Sequence, residues 1–360
     1  MTRDYSKFLP GQAKIHEANQ RLPPLQALGW HPFFAQQTDV DELADTPPAR
    51  VVAVHRNALH VLGDGIDQTI PPGPDATVGD WLLLDRQRPT HSRVLDRKSL
   101  IKRRAPGTDR QAQLIAANID TAFIVTSCNQ DFNVARLERY IALAFEAEIT
   151  PVIVLTKTDL APTHQDYVDM ARAISDAVDV VALNALGAEP AAKLAPWCKP
   201  GATVAFLGSS GVGKSTLSNA LLGTSAIETQ TIREDDSKGR HTTTSRQLHP
   251  TANDCLVLDT PGMRELQLTD AAAGIEDLFA DIHDLASQCR FNDCQHQTEP
   301  GCRVLAALDT GEIDADRLAR WRKLLAEDAF NSASLSERRA KDKAFGKMVR
   351  SIMKHKDKRT

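Results

Sequence analysis

The chain of 360 residues is long enough for two or three domains, and its 42% hydrophobic and 25% charged residues are typical of a globular protein. No apolar run approaches the ~18 residues of a membrane-spanning helix, and the polar first 20 residues lack a signal-peptide core, which predicts a cytoplasmic protein without a membrane partner. The net charge of −4 is unevenly distributed, because residues 86–110 and 331–360 are rich in lysine and arginine. These two basic segments are compatible with binding to a nucleic acid, although a run of charged residues is more often a solvent-exposed face.

The first third of the chain divides into an arm and a region of short strands. Residues 1–46 carry scattered prolines and weak periodicity, so we expect an extended or partly ordered arm. Within residues 47–110, β-like runs alternate with glycine and proline turns, at residues 50–54, 58–62, 77–85 and 92–101. Short strands at this spacing predict a small barrel of the OB type, a fold that often binds oligonucleotides. A purely structural barrel with a basic rim is the alternative.

Residues 111–280 alternate between predicted strands and helices. The strands are expected at residues 121–126, 151–155, 178–183 and 202–207, and the helices at residues 134–148 and 164–177. This alternation predicts an α/β fold with a doubly wound, largely parallel sheet. Loops gather at the carboxyl ends of such strands, where we expect a ligand pocket.

A phosphate loop follows the last of these strands. The pattern G-x-x-x-x-G-K-[ST] begins at Gly208, between an apolar strand and a helix. Its glycines allow backbone N–H groups to surround phosphate oxygens, while Lys214 can reach the terminal phosphates and Ser215 can hold Mg²⁺. The predicted nucleotide contacts are Gly208, Ser209, Ser210, Gly211, Val212, Gly213, Lys214, Ser215 and Thr216.

A second motif, formed by Thr156, Lys157, Thr158 and Asp159, predicts which base is bound. The Asp159 carboxylate can accept hydrogen bonds from N1–H and the exocyclic amine of guanine, an arrangement that adenine does not offer. Thr156 stands where GTPases usually carry asparagine, so part of the contact to the base or to the phosphate loop is expected to be weaker. A polar turn after a strand is the alternative interpretation.

A third motif predicts a γ-phosphate switch. Asp259 and Gly262 fit D-x-x-G, in which the carboxylate holds Mg²⁺ through water and the glycine N–H senses the γ-phosphate. In the polar stretch before it, Thr243 is the expected additional Mg²⁺ ligand. Met263 occupies the position of the usual water-orienting glutamine, so His241 is the candidate catalytic residue, with a solvated loop histidine as the alternative.

The guanine motif precedes the phosphate loop, whereas standard GTPases have it last. A complete but cyclically shifted set of motifs predicts a circular permutation, which preserves a doubly wound sheet when the original termini lie close together. After the D-x-x-G motif the chain continues directly into a C-terminal region at residues 281–330. Loss of the γ-phosphate could therefore pull on that region.

The C-terminal region contains a candidate metal site. Cys289, Cys294, His296 and Cys302 have the spacing C-x4-C-x-H-x5-C, which supplies the four ligands of a closed structural zinc site. The alternative is a cluster of ordinary buried cysteines. An amphipathic helix is expected at residues 314–330, and residues 331–360 form a basic tail, so we favour contact with RNA.

The motif order, the Gly-Arg-His-Thr-Thr-Thr run at residues 239–244, the D-T-P-G sequence and the cysteine–histidine site together resemble the RsgA (YjeQ) family of circularly permuted GTPases that depend on the small ribosomal subunit. The resemblance runs from about residue 50 to the C-terminal helix. It implies an OB barrel, a permuted P-loop GTPase domain and a C-terminal α-helical zinc-binding domain. Thr156 and Ser209 depart from the family pattern without removing a charge.

The same resemblance implies the function. It predicts GTP hydrolysis to GDP and phosphate, stimulated by the small ribosomal subunit during its late maturation, with the subunit bound in the GTP state and released after hydrolysis. The implied cofactors are one structural Zn²⁺ and Mg²⁺ with GTP, and the implied partners of this expected monomer are the small subunit and its rRNA. A GTP-gated RNA-binding checkpoint module, in which hydrolysis only permits release, and an ATPase are the alternatives.

Overall fold

The N-terminal segment is helical rather than extended. The computed structural model describes residues 22–104, 112–223, 246–259, 268 and 270–332, so residues 1–21 of the predicted arm lie outside the described residues. Three short helices follow, α1 (Pro24–Ala27), α2 (Pro32–Ala35) and α3 (Val40–Asp45). Proline begins the first two helices, where its fixed φ suits the first helical position.

Aromatic packing explains why the expectation of an extended arm is wrong for residues 22–46. Phe34 is buried, and its ring and that of Trp30 lie 5.8 Å and 4.9 Å from the ring of Trp81. The large apolar area of such rings holds the short helices against the strand domain although the helices are too short to be stable alone. Weak sequence periodicity did not reveal this contact.

Five antiparallel strands form the N-terminal β-domain, in the order β3-β2-β1-β4-β5. They are β1 (Pro48–His55), β2 (Ala58–Gly63), β3 (Ile66–Ile70), β4 (Trp81–Leu83) and β5 (Arg93–Val94). Val51, Val61 and Leu82 lie in its apolar core. The arrangement agrees with the predicted OB-type barrel. The sequence did not predict β3, because only its first and last residues are buried.

A two-stranded ladder follows, formed by β6 (Leu100–Arg104) and β7 (Ala112–Ala117). The predicted domain boundary between residues 110 and 111 falls between these paired strands, in the segment 105–111 that lies outside the described residues. The basic residues of β6 include Lys102 and Arg103, so part of the predicted basic segment lies on a strand.

The central sheet is the predicted doubly wound one. Its strands are β8 (Thr121–Ser127), β9 (Thr150–Thr156), β10 (Asp179–Ala182), β11 (Thr203–Leu207), β12 (Arg246–Pro250) and β13 (Leu256–Asp259). They lie in the order β10-β9-β8-β11-β13-β12, with β12 antiparallel to β13 and the others parallel. β12 also pairs with β1, so the N-terminal strands extend the same sheet.

Helices cover both faces of this sheet. They are α4 (Val134–Glu146), α5 (His164–Arg172), α6 (Pro190–Leu194), α7 (Lys214–Leu222) and α8 (Ala272–Leu278). Apolar residues of α4, α5 and α8 share one core with Ile124 and Ile153, while those of α6 and α7 share another with Phe123 and Val152. Successive strand residues thus face opposite cores, as the pleat requires.

Helix α5 ends at Arg172, five residues before the predicted end at residue 177. The hydroxyl of Ser175 accepts a hydrogen bond from the N–H of Ala177 at 3.2 Å. Such local bonding competes with the helical pattern and favours a helix end. The other predicted strand and helix limits in the sheet agree with the structure to within about two residues.

Buried Arg50 of β1 joins the N-terminal segment, the β-domain and the central sheet. Its guanidinium donates hydrogen bonds to the carbonyl of Leu28, to the carbonyl of Asn118 at 3.1 Å and to the Thr203 hydroxyl at 2.8 Å. Burial lowers the pKa of Arg50 to about 10, and nearby Asp120 opposes this shift. Because Thr203 begins β11, this contact fixes the strand that leads to the phosphate loop.

The C-terminal region is helical, with α9 (Ala280–Ser287), α10 (Arg303–Asp309) and α11 (Ala315–Ser332). Helix α11 corresponds to the amphipathic helix that the sequence predicted at residues 314–330. None of the helices in the described ranges is long and apolar enough to cross a membrane. The basic tail beyond residue 332 lies outside the described residues.

Candidate nucleotide site and metal cluster

The predicted motifs meet at one edge of the central sheet. Parallel pairing places Leu207 of β11 opposite Ile124 of β8, and Ser127 of β8 opposite Thr156 of β9. The carboxyl ends of β8, β9, β11 and β13 therefore lie side by side at this edge. In doubly wound folds this edge, where the strand order reverses, is the usual ligand site.

Glycines allow the predicted phosphate loop to turn sharply between β11 and α7. Gly208, Gly211 and Gly213 have φ angles of 137°, 76° and 102°, a region that residues with a Cβ rarely adopt. A Cβ at Gly208 would also overlap the carbonyl oxygen of Val125 on the neighbouring strand. The first glycine of the loop is therefore required both by its own backbone and by the sheet beside it.

Lys214, the first residue of α7, folds back over the loop. Its ammonium group donates hydrogen bonds to the carbonyl of Gly208 at 2.8 Å and to the carbonyl of Ser209. This holds the positive charge over the start of the loop, while the N-terminus of α7 contributes a partial positive charge nearby. The arrangement can bind an anion with several oxygens.

Thr156 connects the predicted guanine motif to the phosphate loop. Its buried hydroxyl lies 2.6 Å from the carbonyl oxygen of Val212, to which it donates a hydrogen bond, and 3.2 Å from that of Thr126. The expectation was that threonine in place of asparagine weakens part of such a contact, but the single hydroxyl does reach the loop. A Cβ added to Gly213 would lie 3.7 Å from the Thr156 methyl group.

The rest of the guanine motif lies at the same edge. Lys157 adopts a left-handed conformation with φ of 58° and precedes the short 3₁₀ turn at Thr158–Leu160, which exposes Asp159. The loop after β10 also lies near Gly213, since a Cβ added to this glycine would be 3.6 Å from the Ala185 methyl group. The predicted base-binding side and the phosphate loop are therefore in contact.

Asp259 ends β13, beside the strand that carries the phosphate loop. The carboxylate is partly buried, and burial raises the pKa of Asp259 while nearby His249 opposes the rise. A bound cation would favour the charged form and offset this burial cost. The other predicted switch residues, Gly262, Thr243 and His241, lie outside the described residues.

Arg136 is a site residue that the sequence-based reasoning missed. Its guanidinium donates a hydrogen bond to the hydroxyl of Ser209 in the phosphate loop, and two more to the carboxylate and carbonyl of Asp131, at 2.9 Å and 3.1 Å. Arg136 is the third residue of α4, where a cation is unfavourable to the helix dipole. The sequence feature that could have indicated this site residue is a basic side chain in the first turn of the helix after β8.

The four predicted metal ligands form a compact cluster. The ligand atoms of Cys289, Cys294, His296 and Cys302 all lie within 4.8 Å of one another. The Cys289 and Cys302 sulfurs are 3.8 Å apart, and His296 Nδ1 lies 3.5 Å and 3.4 Å from them. Tetrahedral coordination with Zn–S bonds of about 2.3 Å requires sulfur separations of roughly 3.8 Å. This cluster could hold a metal ion.

Hydrogen bonds organise the loop around the metal cluster. Glu299 accepts backbone N–H bonds from Gln295 at 2.8 Å and from Gln297 at 2.7 Å, and these bonds lower the pKa of Glu299 to about 2. Trp321 of α11 places its ring 5.6 Å from the ring of His296. The neighbouring Arg322 donates a hydrogen bond to the His296 carbonyl, so α11 closes one side of the cluster.

Helix α4 connects the nucleotide site to α11. Near its start Arg136 contacts the phosphate loop, and two residues later the buried carboxylate of Glu138 accepts the Nε–H of Arg320 through both oxygens, each at 2.9 Å. Arg139 pairs with Glu327 of the same C-terminal helix. Burial raises the pKa of Glu138, and Arg320 and Arg317 oppose that rise. The two candidate sites are thus joined by one helix and a buried ion pair.

The strand order, together with a guanine motif that precedes the phosphate loop in the chain, defines a circularly permuted P-loop GTPase fold. The family model described as RsgA GTPase matches residues 94–269. The protein named small ribosomal subunit biogenesis GTPase RsgA 2 of Vibrio parahaemolyticus serotype O3:K6 (strain RIMD 2210633) is 48% identical over 93% of this chain and 94% of its own. The chain therefore belongs to the RsgA GTPase family.

A second relative and two solved structures agree. The small ribosomal subunit biogenesis GTPase RsgA of Mesorhizobium japonicum (strain LMG 29417 / CECT 9101 / MAFF 303099) is 50% identical over 86% of this chain and 91% of its own. The crystal structure of YjeQ from Thermotoga maritima matches with a TM-score of 0.56 and 26% identity, covering 78% of this chain and 97% of that chain. YloQ, described as a circularly permuted GTPase, matches with a TM-score of 0.55 and 24% identity over 80% and 97%, and supports the fold.

Proposed function

We propose that this protein is a cytoplasmic, monomeric GTPase of small ribosomal subunit maturation, which binds the subunit in the GTP state and leaves it after hydrolysis. The observation that carries this proposal is the contact between the guanine motif and the phosphate loop, made by the buried hydroxyl of Thr156 and the carbonyl of Val212. Family membership supports the subunit as the partner, since the relatives are named for its biogenesis.

Each part of the nucleotide has a proposed partner. Asp159 accepts hydrogen bonds from guanine, with Lys157 and Thr158 beside it, and the backbone N–H groups of residues 208–216 surround the phosphates. Lys214 neutralises the terminal phosphates. Mg²⁺ supplies charge neutralisation when bound with GTP, and Ser215, Thr243 and Asp259 are the proposed residues around it.

Hydrolysis requires a group that orients the attacking water. We assign this role to His241, because Met263 cannot perform it. The Gly262 N–H would sense the γ-phosphate. The direct chain connection from the D-x-x-G motif to α8 then gives the phosphate state a route to the C-terminal region.

The metal cluster is proposed to hold one structural Zn²⁺. Three thiolates and one imidazole in tetrahedral spacing suit zinc, and all four positions are protein ligands, which is typical of structural rather than catalytic sites. The metal would order a loop whose side chains are mostly exposed. We propose that this loop, the β-domain and the basic tail contact rRNA.

The test is GTP turnover of the full chain with and without purified small ribosomal subunits, at several salt concentrations. We expect the subunits to stimulate turnover, and both stimulation and cosedimentation to weaken as salt rises, because rRNA phosphates are contacted. His241→Ala should lower stimulated turnover by about 100-fold while leaving GTP binding unchanged. Lys214→Ala, which should lose nucleotide binding itself, is the control for the site.

Two outcomes would contradict the proposal. Unstimulated turnover with retained subunit binding would favour the checkpoint module, in which nucleotide only sets affinity. Displacement of bound nucleotide by ADP rather than by GDP would overturn the assignment of Asp159 and favour an ATPase.

A further inference from the structure

Arg136 lies at the phosphate loop but belongs to a different part of the chain, the start of α4. Its guanidinium and the ammonium of Lys214 contact the same loop residue, Ser209, through the side-chain hydroxyl and the backbone carbonyl respectively. Two cations therefore contact the same residue. A negatively charged ligand at this loop would reduce their mutual repulsion.

The position of Lys214 identifies the part of the ligand that lies nearest. In phosphate loops the backbone N–H groups surround the α- and β-phosphates, and the lysine reaches the β- and γ-phosphates. Because Arg136 contacts the residue whose carbonyl binds Lys214, its guanidinium lies near the cation that reaches those phosphates. Of GTP and GDP, only the triphosphate carries a γ-phosphate that both cations could share.

The anchoring of Arg136 leaves part of its guanidinium available. Asp131 binds one terminal nitrogen through its carboxylate and the other through its carbonyl, and Ser209 takes a further N–H. Three of the five N–H donors thus have partners among the described residues. The side chain is 37% exposed, so the remaining donors can reach a ligand.

The cost of this placement also points to a ligand. Arg136 is the third residue of α4, where the helix dipole disfavours a cation. Asn133 accepts the N–H of Arg136 at 2.9 Å and already caps the helix, so the arginine side chain is not needed for capping. Asp131 offsets part of the unfavourable charge and fixes the side chain toward the loop.

We propose that Arg136 donates hydrogen bonds to the γ-phosphate of bound GTP and makes the site prefer GTP over GDP. It is a specificity-determining residue supplied by the same chain. This inference rests on the proposed nucleotide function of the loop and adds the residue that distinguishes the two nucleotide states.

The test compares the affinities of wild type and Arg136→Ala for a non-hydrolysable GTP analogue and for GDP. We expect the variant to bind the GTP analogue at least tenfold more weakly, a loss of about 1.4 kcal/mol in binding free energy. The GDP affinity should change by less than about twofold. Arg136→Lys should recover part of the loss, since it keeps the charge but not the planar donors. Arg139→Ala, one turn further along α4 and paired with Glu327, is the matched control and should leave the affinity ratio unchanged.

The possible results separate this inference from the proposed function. Equal losses for both nucleotides would show that Arg136 only positions the loop, and unchanged affinities would show a solvated side chain, so either result overturns the inference. Selective loss of the GTP analogue, without stimulation of wild-type turnover by small subunits, would support the inference and contradict the proposed function. Wild type that binds neither nucleotide would overturn both. Thermal melting of each variant identifies a failure to fold. If Arg136→Ala does not fold, the ratio of the affinities of Arg136→Lys for the GTP analogue and for GDP decides the question.

Discussion

The phosphate loop and the metal cluster are both short loops that present groups to a ligand, but they are supported in opposite ways. The phosphate loop follows β11, whose five residues are all buried between two apolar cores. Most side chains between Cys289 and Cys302 are exposed, and the loop has few apolar contacts of its own. Packing of the surrounding fold supports the phosphate loop, whereas the loop of the metal cluster has little apolar support of its own.

The difference follows from where hydrophobic burial is available. Burying apolar area stabilises a fold by roughly 25 cal/mol per Å², and the parallel sheet supplies this under the phosphate loop. The loop of the metal cluster lacks such area, so a bound metal ion would have to supply the stabilisation instead. We therefore expect the phosphate loop to keep its structure without nucleotide, and the loop of the metal cluster to lose its structure without metal.

Removal of the metal should give the largest effect. A strong chelator, or Cys302→Ser, should unfold the segment from Cys289 to Cys302, because zinc coordination contributes on the order of 10 kcal/mol to such loops. Hydrogen exchange of this segment should rise sharply while GDP affinity stays within about twofold. Cys198→Ser, a cysteine outside the cluster, is the control. A parallel loss of GDP affinity would show that the two regions are not supported independently.

The buried joint between the two regions should give the next effect. Glu138→Ala removes the carboxylate that binds Arg320 across α4 and α11, and should lower the free energy of unfolding by about 3–5 kcal/mol. Denaturant unfolding followed by circular dichroism measures this. Glu327→Ala is the comparison, because Glu327 pairs with Arg139 and is more exposed than Glu138. This variant should lower the free energy of unfolding by about 1 kcal/mol or less. Similar losses for the two variants would mean that α4 and α11 do not depend on the buried pair.

The smallest effect is expected within the nucleotide site. Thr156→Val keeps the shape but removes the hydroxyl that binds the Val212 carbonyl, at a cost of about 1–2 kcal/mol. Since this bond holds the phosphate loop, GDP affinity should fall by about tenfold, and the melting temperature should fall by only a few degrees. Thr46→Val, which removes a partly buried hydroxyl–carbonyl hydrogen bond in the N-terminal segment, is the matched control. An unchanged GDP affinity in Thr156→Val would show that the sheet alone positions the loop.

Much of the central fold could be predicted from the sequence because its signals are local. The strands of a doubly covered parallel sheet are continuous apolar runs, and β8, β9 and β11 were recognisable for that reason. Helix α4 was recognisable from the periodicity of its buried residues. Strand β3 was missed because only Ile66 and Ile70 are buried, and the helices at residues 24–45 depend on rings that lie far away in the chain.

The candidate sites divide in the same way. The phosphate loop, the guanine motif and the metal ligands are contiguous or closely spaced, so their residue types and order identify them. The contact of Arg136 with Ser209 joins positions 73 residues apart, and that of Glu138 with Arg320 joins positions 182 apart. No local pattern encodes such pairs.

The sequence by itself therefore determined the permuted order and the candidate groups: a glycine loop proposed for phosphates, a carboxylate proposed for guanine and a four-residue set that could hold a metal ion. These depend on residue types at fixed spacings, which are read along the chain. The tertiary structure decided how these parts are joined, through the Thr156 hydroxyl, the Arg136 guanidinium and the α4–α11 ion pair. Such contacts arise only when burial brings distant segments together, because their energies depend on distance in space and on exclusion of water.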